Sequence, residues 1–187
     1  MQHQKTTSLL LCAVFTALLV VSAFIRIPTP LVPITLQSCM VLICGILLGP
    51  KYGSISVLLY VCLGLCGVPV FAMGGGLGYV LQPTFGYLLG FILGAYITGT
   101  MTWRYGQTHA LSVGRLFAFA LCGLIVIYAV GTIYCYGISV WVLGTALAFW
   151  PLLLSCVILP LPGDVALCLL AAILGKRLLP HTKKYIR

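Results

Sequence analysis

Long apolar runs alternate with short stretches of Gly, Pro and charge along the whole chain. Runs of about 20 residues suffice to cross a bilayer as helices. Read against their punctuation, they predict helices at 8–26, 35–49, 52–66, 84–103, 115–137 and 163–178. Six crossings place both termini on one side. With that side cytoplasmic, Lys5, Lys51, Arg104, Arg115, Lys176, Arg177, Lys183, Lys184 and Arg187 lie inside and only Arg26 outside, as the positive-inside rule requires. The further apolar segment 144–159 would carry the basic C-terminal residues outside if it crossed. It is therefore read first as interfacial or re-entrant on the outer side, with part of a long broken last helix as the alternative.

Composition supports an all-α integral membrane protein of six transmembrane helices, N-in and C-in. Of 187 residues, 62% are hydrophobic and 6% charged, with a mean hydropathy of +1.20. The expected organisation is one domain over 1–187, ending in a short basic cytoplasmic tail at 176–187. The multi-pass plan points to the cell membrane, with lipid as its surroundings. A net charge of +9 without a basic stripe argues for topology signals and against nucleic acid. The first run, 9–24, is long for a secretory signal and is expected to remain as a helix. Nine cysteines lack CxxC or Cys/His metal spacing and are expected to pack as small apolar residues. No metal site or cofactor is predicted. There is no GxxxxGK[ST] phosphate loop, and the GGGLG run does not open a strand-to-helix turn, so neither ATP hydrolysis nor dinucleotide chemistry is expected of this chain.

Asp164 is the only acidic side chain, and it follows a Pro-Gly turn within apolar sequence. Carboxylates in membrane segments generally face protein, ligand or a water-filled cavity. Its place in the first turn of the last helix, in the outer half of the membrane, also suits a helix-capping role. Gly86, Gly90 and Gly94, like Gly45 and Gly49, recur every four residues and allow close helix contact. Ala13 and Ala17 share that spacing and could serve internal packing or a partner helix. The uncharged outer connection GVPVFAMGGGLGYVLQPTFGY reads either as a lid over an outward pocket or as a seal on the helix ends. Thr35 and Gln37 begin the second helix, where a hydroxyl can cap the helix or meet a ligand. Arg26 can pair with an acidic ligand group or snorkel to the interface.

These residues together resemble the BioY family, the biotin-specific S components of energy-coupling factor (ECF) vitamin transporters. The resemblance rests on Val32-Pro33-Ile34-Thr35-Leu36-Gln37, Gly49-Pro50-Lys51-Tyr52-Gly53, Gly67-Val68-Pro69-Val70-Phe71, the Gly74 to Gly78 cluster, Pro83-Thr84 with Gly86-Tyr87, and Pro162-Gly163-Asp164. It implies the ECF S-component fold and high-affinity biotin capture, with delivery inward by a transmembrane coupling subunit and two cytoplasmic ATPase subunits. It places the ligand aspartate at Asp164, accepting hydrogen bonds from the ureido N–H groups, and the partner-facing AxxxA pattern at Ala13 and Ala17. Thr35, Gln37, Tyr79, Gln82 and Tyr87 are further candidates for the pocket. Two departures stand out. Leu167 occupies the position where most relatives carry lysine, and Gln82-Pro83-Thr84-Phe85-Gly86-Tyr87 replaces two glycines of the family's GPTGGY loop. Another small vitamin or a biotin precursor is therefore the alternative ligand, and a non-transporting membrane scaffold the alternative from another class.

Overall fold

The computed structural model describes residues 2–27, 33–142, 149–184 and 186. Val32, Arg187 and residues 144–148 of the expected interfacial segment lie outside the described residues. The structure is helical: α1 (Gln2–Phe24), α2 (Gln37–Leu65), α3 (Phe85–Thr108), α4 (Val113–Trp141), the short α5 (Phe149–Leu153) and α6 (Leu161–Thr182). One small antiparallel pair, β1 (Arg26–Ile27) with β2 (Ile34–Thr35), follows α1; Arg26 faces Thr35 and Ile27 faces Ile34. Among the described residues, five helical stretches are long and apolar enough to cross a membrane.

Two of the predicted helices, 35–49 and 52–66, are the two arms of α2. The chain leaves the helical path at Gly49, with φ 75° and ψ −176°, and Pro50 follows. Only glycine adopts that φ cheaply, and a Cβ there would lie 2.9 Å from the Trp103 ring. The second arm folds back on the first. Cys44 Sγ meets the Gly53 carbonyl at 3.6 Å, a contact that a straight helix would hold apart by about 13 Å. The other side of the second arm receives α1, where Thr16 Oγ1 donates to the Ser56 carbonyl at 3.0 Å.

Small residues set the remaining contacts. A Cβ at Gly45 would meet the Ala95 backbone, one at Gly99 the Gly49–Pro50 backbone, and one at Gly90 the Ile127 carbonyl at 2.9 Å. The first arm of α2 therefore lies directly on α3, and α3 on α4. The Gly86, Gly90 and Gly94 repeat is an internal packing stripe, since all three face α4 at Tyr134 and Ile127. Ala13 and Ala17, by contrast, are exposed on α1. So are Leu10, Val14 and Val21 of the same helix.

The segment before Asp164 corrects the sequence reading. Its described part is a continuation of the last helix, where a separate interfacial element was expected. After α5 comes a π-helical turn over Leu154–Ile158, and Leu153, Leu159 and Pro160 all keep right-handed helical angles. Trp150–Thr182 is thus one apolar helical stretch of 33 residues. Pro160 and Pro162 modify its hydrogen bonding without ending it, because their fixed φ is compatible with helical backbone. Six of the nine cysteines are buried as expected, but Cys62 and Cys66 are exposed and Cys122 is intermediate. The CxxxC spacing does put the first two on one face, and that face points outward.

The ends of the bundle differ in charge. Lys51 follows the α2 reversal, Arg104 ends α3, Arg115 begins α4, and Lys176, Arg177 and Lys183 close α6. Lys183 Nζ donates to the Gly106 carbonyl at 3.1 Å, tying the end of α6 to the end of α3. Arg115 lies 4.8 Å over the Tyr105 ring at this same end. Asp164 and the connection between α2 and α3 lie at the opposite end.

Candidate ligand-binding site

Asp164 sits in the first turn of α6, 7% exposed. Its backbone N–H donates to the Pro160 carbonyl at 3.0 Å, so the residue belongs to the helix proper. Its carboxylate is held from two sides. Ser38 Oγ donates to Oδ1 at 2.7 Å, and the Tyr128 hydroxyl donates to Oδ2, also at 2.7 Å. These are short contacts of the charge-assisted kind. A carboxylate offers about four acceptor positions. Two remain for a ligand after Ser38 and Tyr128 are counted, one on each oxygen.

A cavity of about 60 Å³ opens beside this carboxylate. Its walls bring together Thr35, Gln37, Tyr79, Tyr87 and Asp164. Five of the six expected ligand residues therefore meet at one place although they come from four parts of the chain. The sixth, Gln82, is exposed at the end of the 3-10 turn Leu77–Leu81 and does not line the cavity. The neighbouring Thr84 does, and its hydroxyl donates to the Tyr79 hydroxyl at 3.1 Å.

Each wall residue has a distinct task. Gln37 is 3% exposed, and its Nε2 has no hydrogen-bond partner among the described residues. A buried donor without a partner costs about 1–3 kcal/mol, so this group is well suited to a ligand acceptor. Tyr87 contributes its ring to the cavity, because its hydroxyl is engaged elsewhere. Pro160 has no N–H to give the Cys156 carbonyl four residues earlier, and Tyr87 donates to that carbonyl at 2.9 Å. The Tyr87 and Tyr128 rings then meet edge to face, their centroids 6.5 Å apart. Phe91, Leu88 and Ile127 complete the apolar wall.

The connection between α2 and α3 borders this space. Gly67, Gly74 and Gly76 take φ values of 100°, 124° and 99°. The Gly76 N–H returns to the Gly64 carbonyl at 2.7 Å. Phe71 is 1% exposed and packs on Gly64, where any Cβ would collide with its ring. Tyr79 stacks obliquely on Phe71, with centroids 4.6 Å apart. Ala72 and Tyr79 are thereby delivered to the cavity wall. Burial pushes the Tyr79 phenol above its ordinary range, so it stays protonated and available as a donor.

Ser38, Tyr128 and Thr84 were not singled out from sequence. Ser38 had a signal, since it follows Gln37 at the start of the same arm and the sole acid needs donors. Tyr128 had none, being one of ten tyrosines and 36 residues from Asp164.

Comparisons with known proteins bear on the chain as a whole. The BioY family pattern matches residues 1–184. The probable biotin transporter BioY of Lysinibacillus sphaericus is 42% identical over 179 residues, covering 95% of this chain and 89% of that protein. BioY2 of Lactococcus lactis, a biotin transporter, is 31% identical over 192 residues, covering 99% and 98%. The crystal structure of an S-component for biotin from an ECF-type ABC transporter superposes with a TM-score of 0.84 at 28% identity, covering 100% of this chain and 99% of that one. A pattern match over nearly all residues, on a fold that is shared from end to end, establishes that this chain belongs to the BioY family.

Proposed function

We propose that this chain is the biotin-capturing membrane subunit of an ECF-type transporter, with Asp164 as the acceptor for the ureido N–H groups. The observation that carries the reading is the carboxylate held by two hydroxyls on the wall of a cavity that Gln37 also lines. A cyclic urea presents two N–H donors beside one carbonyl acceptor. Asp164 complements the donors and Gln37 the carbonyl, while Tyr87, Phe91 and Ile127 suit the apolar bicycle.

The two arms of α2 count as separate crossings, which makes six. The cationic end is cytoplasmic and the Asp164 end outward, so the ligand enters from outside. Inward delivery draws on ATP hydrolysis by two cytoplasmic partner subunits through a membrane coupling subunit. That coupling subunit docks on the exposed α1 face at Ala13 and Ala17. Labelled biotin binding to the purified chain, with desthiobiotin and thiamine as competitors, tests the ligand assignment. Saturable binding displaced by desthiobiotin but not thiamine supports it. Folded protein that binds no biotin overturns it.

A further inference from the structure

The cationic end of the bundle has no counter-charge of its own. Lys51, Arg104, Arg115, Lys176, Arg177 and Lys184 are exposed there, and Lys183 is half-buried among them. The chain's only acidic side chain, Asp164, lies at the opposite end, buried between Ser38 and Tyr128. A surface of cations without acids draws its anions from outside the chain.

Aromatic rings mark the depth of this surface. Lys51 Nζ lies 5.7 Å from the centroid of the Tyr52 ring, the Arg115 guanidinium 4.8 Å from that of Tyr105, and Lys183 Nζ 5.8 Å from that of Trp103. All three cation–aromatic contacts among the described residues therefore fall at one end. Tyrosine and tryptophan gather at the headgroup level of a bilayer, where neighbouring basic residues meet lipid phosphates. Two of these cations converge beside the end of α3. Lys183 Nζ donates to the Gly106 carbonyl at 3.1 Å, and a Cβ on Gly106 would lie 3.0 Å from that nitrogen. Arg115 Nη1 donates to the Ala110 carbonyl, also at 3.1 Å. Each spends an N–H on a carbonyl and keeps others for a second acceptor.

We propose that this end is a docking surface for anionic phospholipid, with a phosphodiester held by Arg115 and Lys183 beside the end of α3 and Arg104 at its edge. Lipid fits the layout better than an acidic protein does. The cations ring the bundle on the α2 reversal and on the ends of α3, α4 and α6, and lipid surrounds all of these, whereas a protein engages one face. The α1 face proposed for a partner subunit is apolar at Leu10, Val14 and Val21. The inference is independent of the ligand assignment and requires only that the chain spans a membrane.

Trp103 serves as the reporter. Trp141→Phe with Trp150→Phe leaves it the sole tryptophan, and both replaced side chains are exposed at the opposite end. The full chain in this background is placed in bilayers of phosphatidylcholine or phosphatidylglycerol brominated near the headgroup end of the acyl chains. Phosphatidylglycerol is expected to quench Trp103 at about fivefold lower mole fraction, the equivalent of one effective cation contact. That preference should shrink as salt rises. Arg115→Gln with Lys183→Gln should bring the ratio near one, Arg115→Lys with Lys183→Arg should keep it, and Arg26→Gln at the opposite end should leave it unchanged. Arg104→Gln should lower it in part without touching the tie between Lys183 and α3, so it decides the matter if the double variant does not fold. Equal quenching by the two lipids overturns the inference in favour of an acidic protein partner. A preference that survives Arg115→Gln with Lys183→Gln also overturns it. So does a preference abolished by inorganic phosphate relative to chloride at matched ionic strength, which would assign the cations to the free ion.

Discussion

Tyr128→Phe removes one oxygen atom and keeps the ring that packs against Tyr87. The hydroxyl it deletes donates at 2.7 Å to Oδ2 of a carboxylate that is 7% exposed. Hydrogen bonds to charged groups contribute about 1.5–3 kcal/mol net. Part of that loss is felt in the empty protein, as a lower unfolding temperature. The rest is felt by the ligand, because the carboxylate can then turn about its Cβ–Cγ bond and its free acceptor positions no longer point into the cavity. A share of about 1.4 kcal/mol corresponds to tenfold weaker biotin binding. Ser38→Ala acts on the other oxygen through its own 2.7 Å contact and should give a similar loss. The orientation holds only while both hydroxyls are in place, so the second loss adds little to the first and the two changes should be non-additive, with a coupling of about 0.5–3 kcal/mol in a double-mutant cycle. Titration calorimetry on the four proteins measures it. Unchanged or tighter binding by Tyr128→Phe refutes the claim that its hydroxyl positions Asp164 for the ligand.

Gln37→Leu should leave the ligand-free protein as stable as the parent or more so, since it removes an unpartnered buried donor, yet weaken biotin binding by about tenfold; thermal unfolding with and without ligand separates the two effects. Gly90→Leu should lower the melting temperature, because its Cβ would press on the Ile127 backbone at a cost of about 1–3 kcal/mol. Gly137→Ala, on a helix position with nothing within 4 Å, should raise stability by about 0.5–1 kcal/mol in the same assay. Ala13→Leu with Ala17→Leu, both on the exposed face of α1, should leave biotin binding intact and abolish co-purification of the coupling subunit; retained co-purification would place that contact elsewhere.

Much of this was legible in the sequence because bilayers and single charges leave strong marks. Apolar runs located the helices, and Gly49-Pro50 fell between two of them because a positive φ followed by proline cannot continue a helix. Asp164 could be singled out because it is the only acid. The boundary near Pro162 was less legible: proline weakens backbone pairing, but here the Tyr87 hydroxyl takes the carbonyl that Pro160 leaves free, and the helical path continues. The partners of Asp164 were harder still. Ser38 and Tyr128 converge on it across 126 and 36 residues, a relation set by how α2 and α4 pack on α6 and written in no local pattern. Gln82 illustrates the opposite difficulty. A polar residue in a pocket-forming loop looked like a ligand donor, yet the 3-10 turn before it directs Tyr79 inward and leaves Gln82 exposed.

Biotin titration of Asp164→Asn beside the parent tests the central claim most directly. The amide keeps the shape but replaces one acceptor oxygen by a donor, which confronts a ureido N–H with another N–H. Tight, saturable binding by the parent and its loss in a variant that remains folded is the predicted result. Equal binding by the two proteins would contradict the assignment of Asp164 as the ureido acceptor.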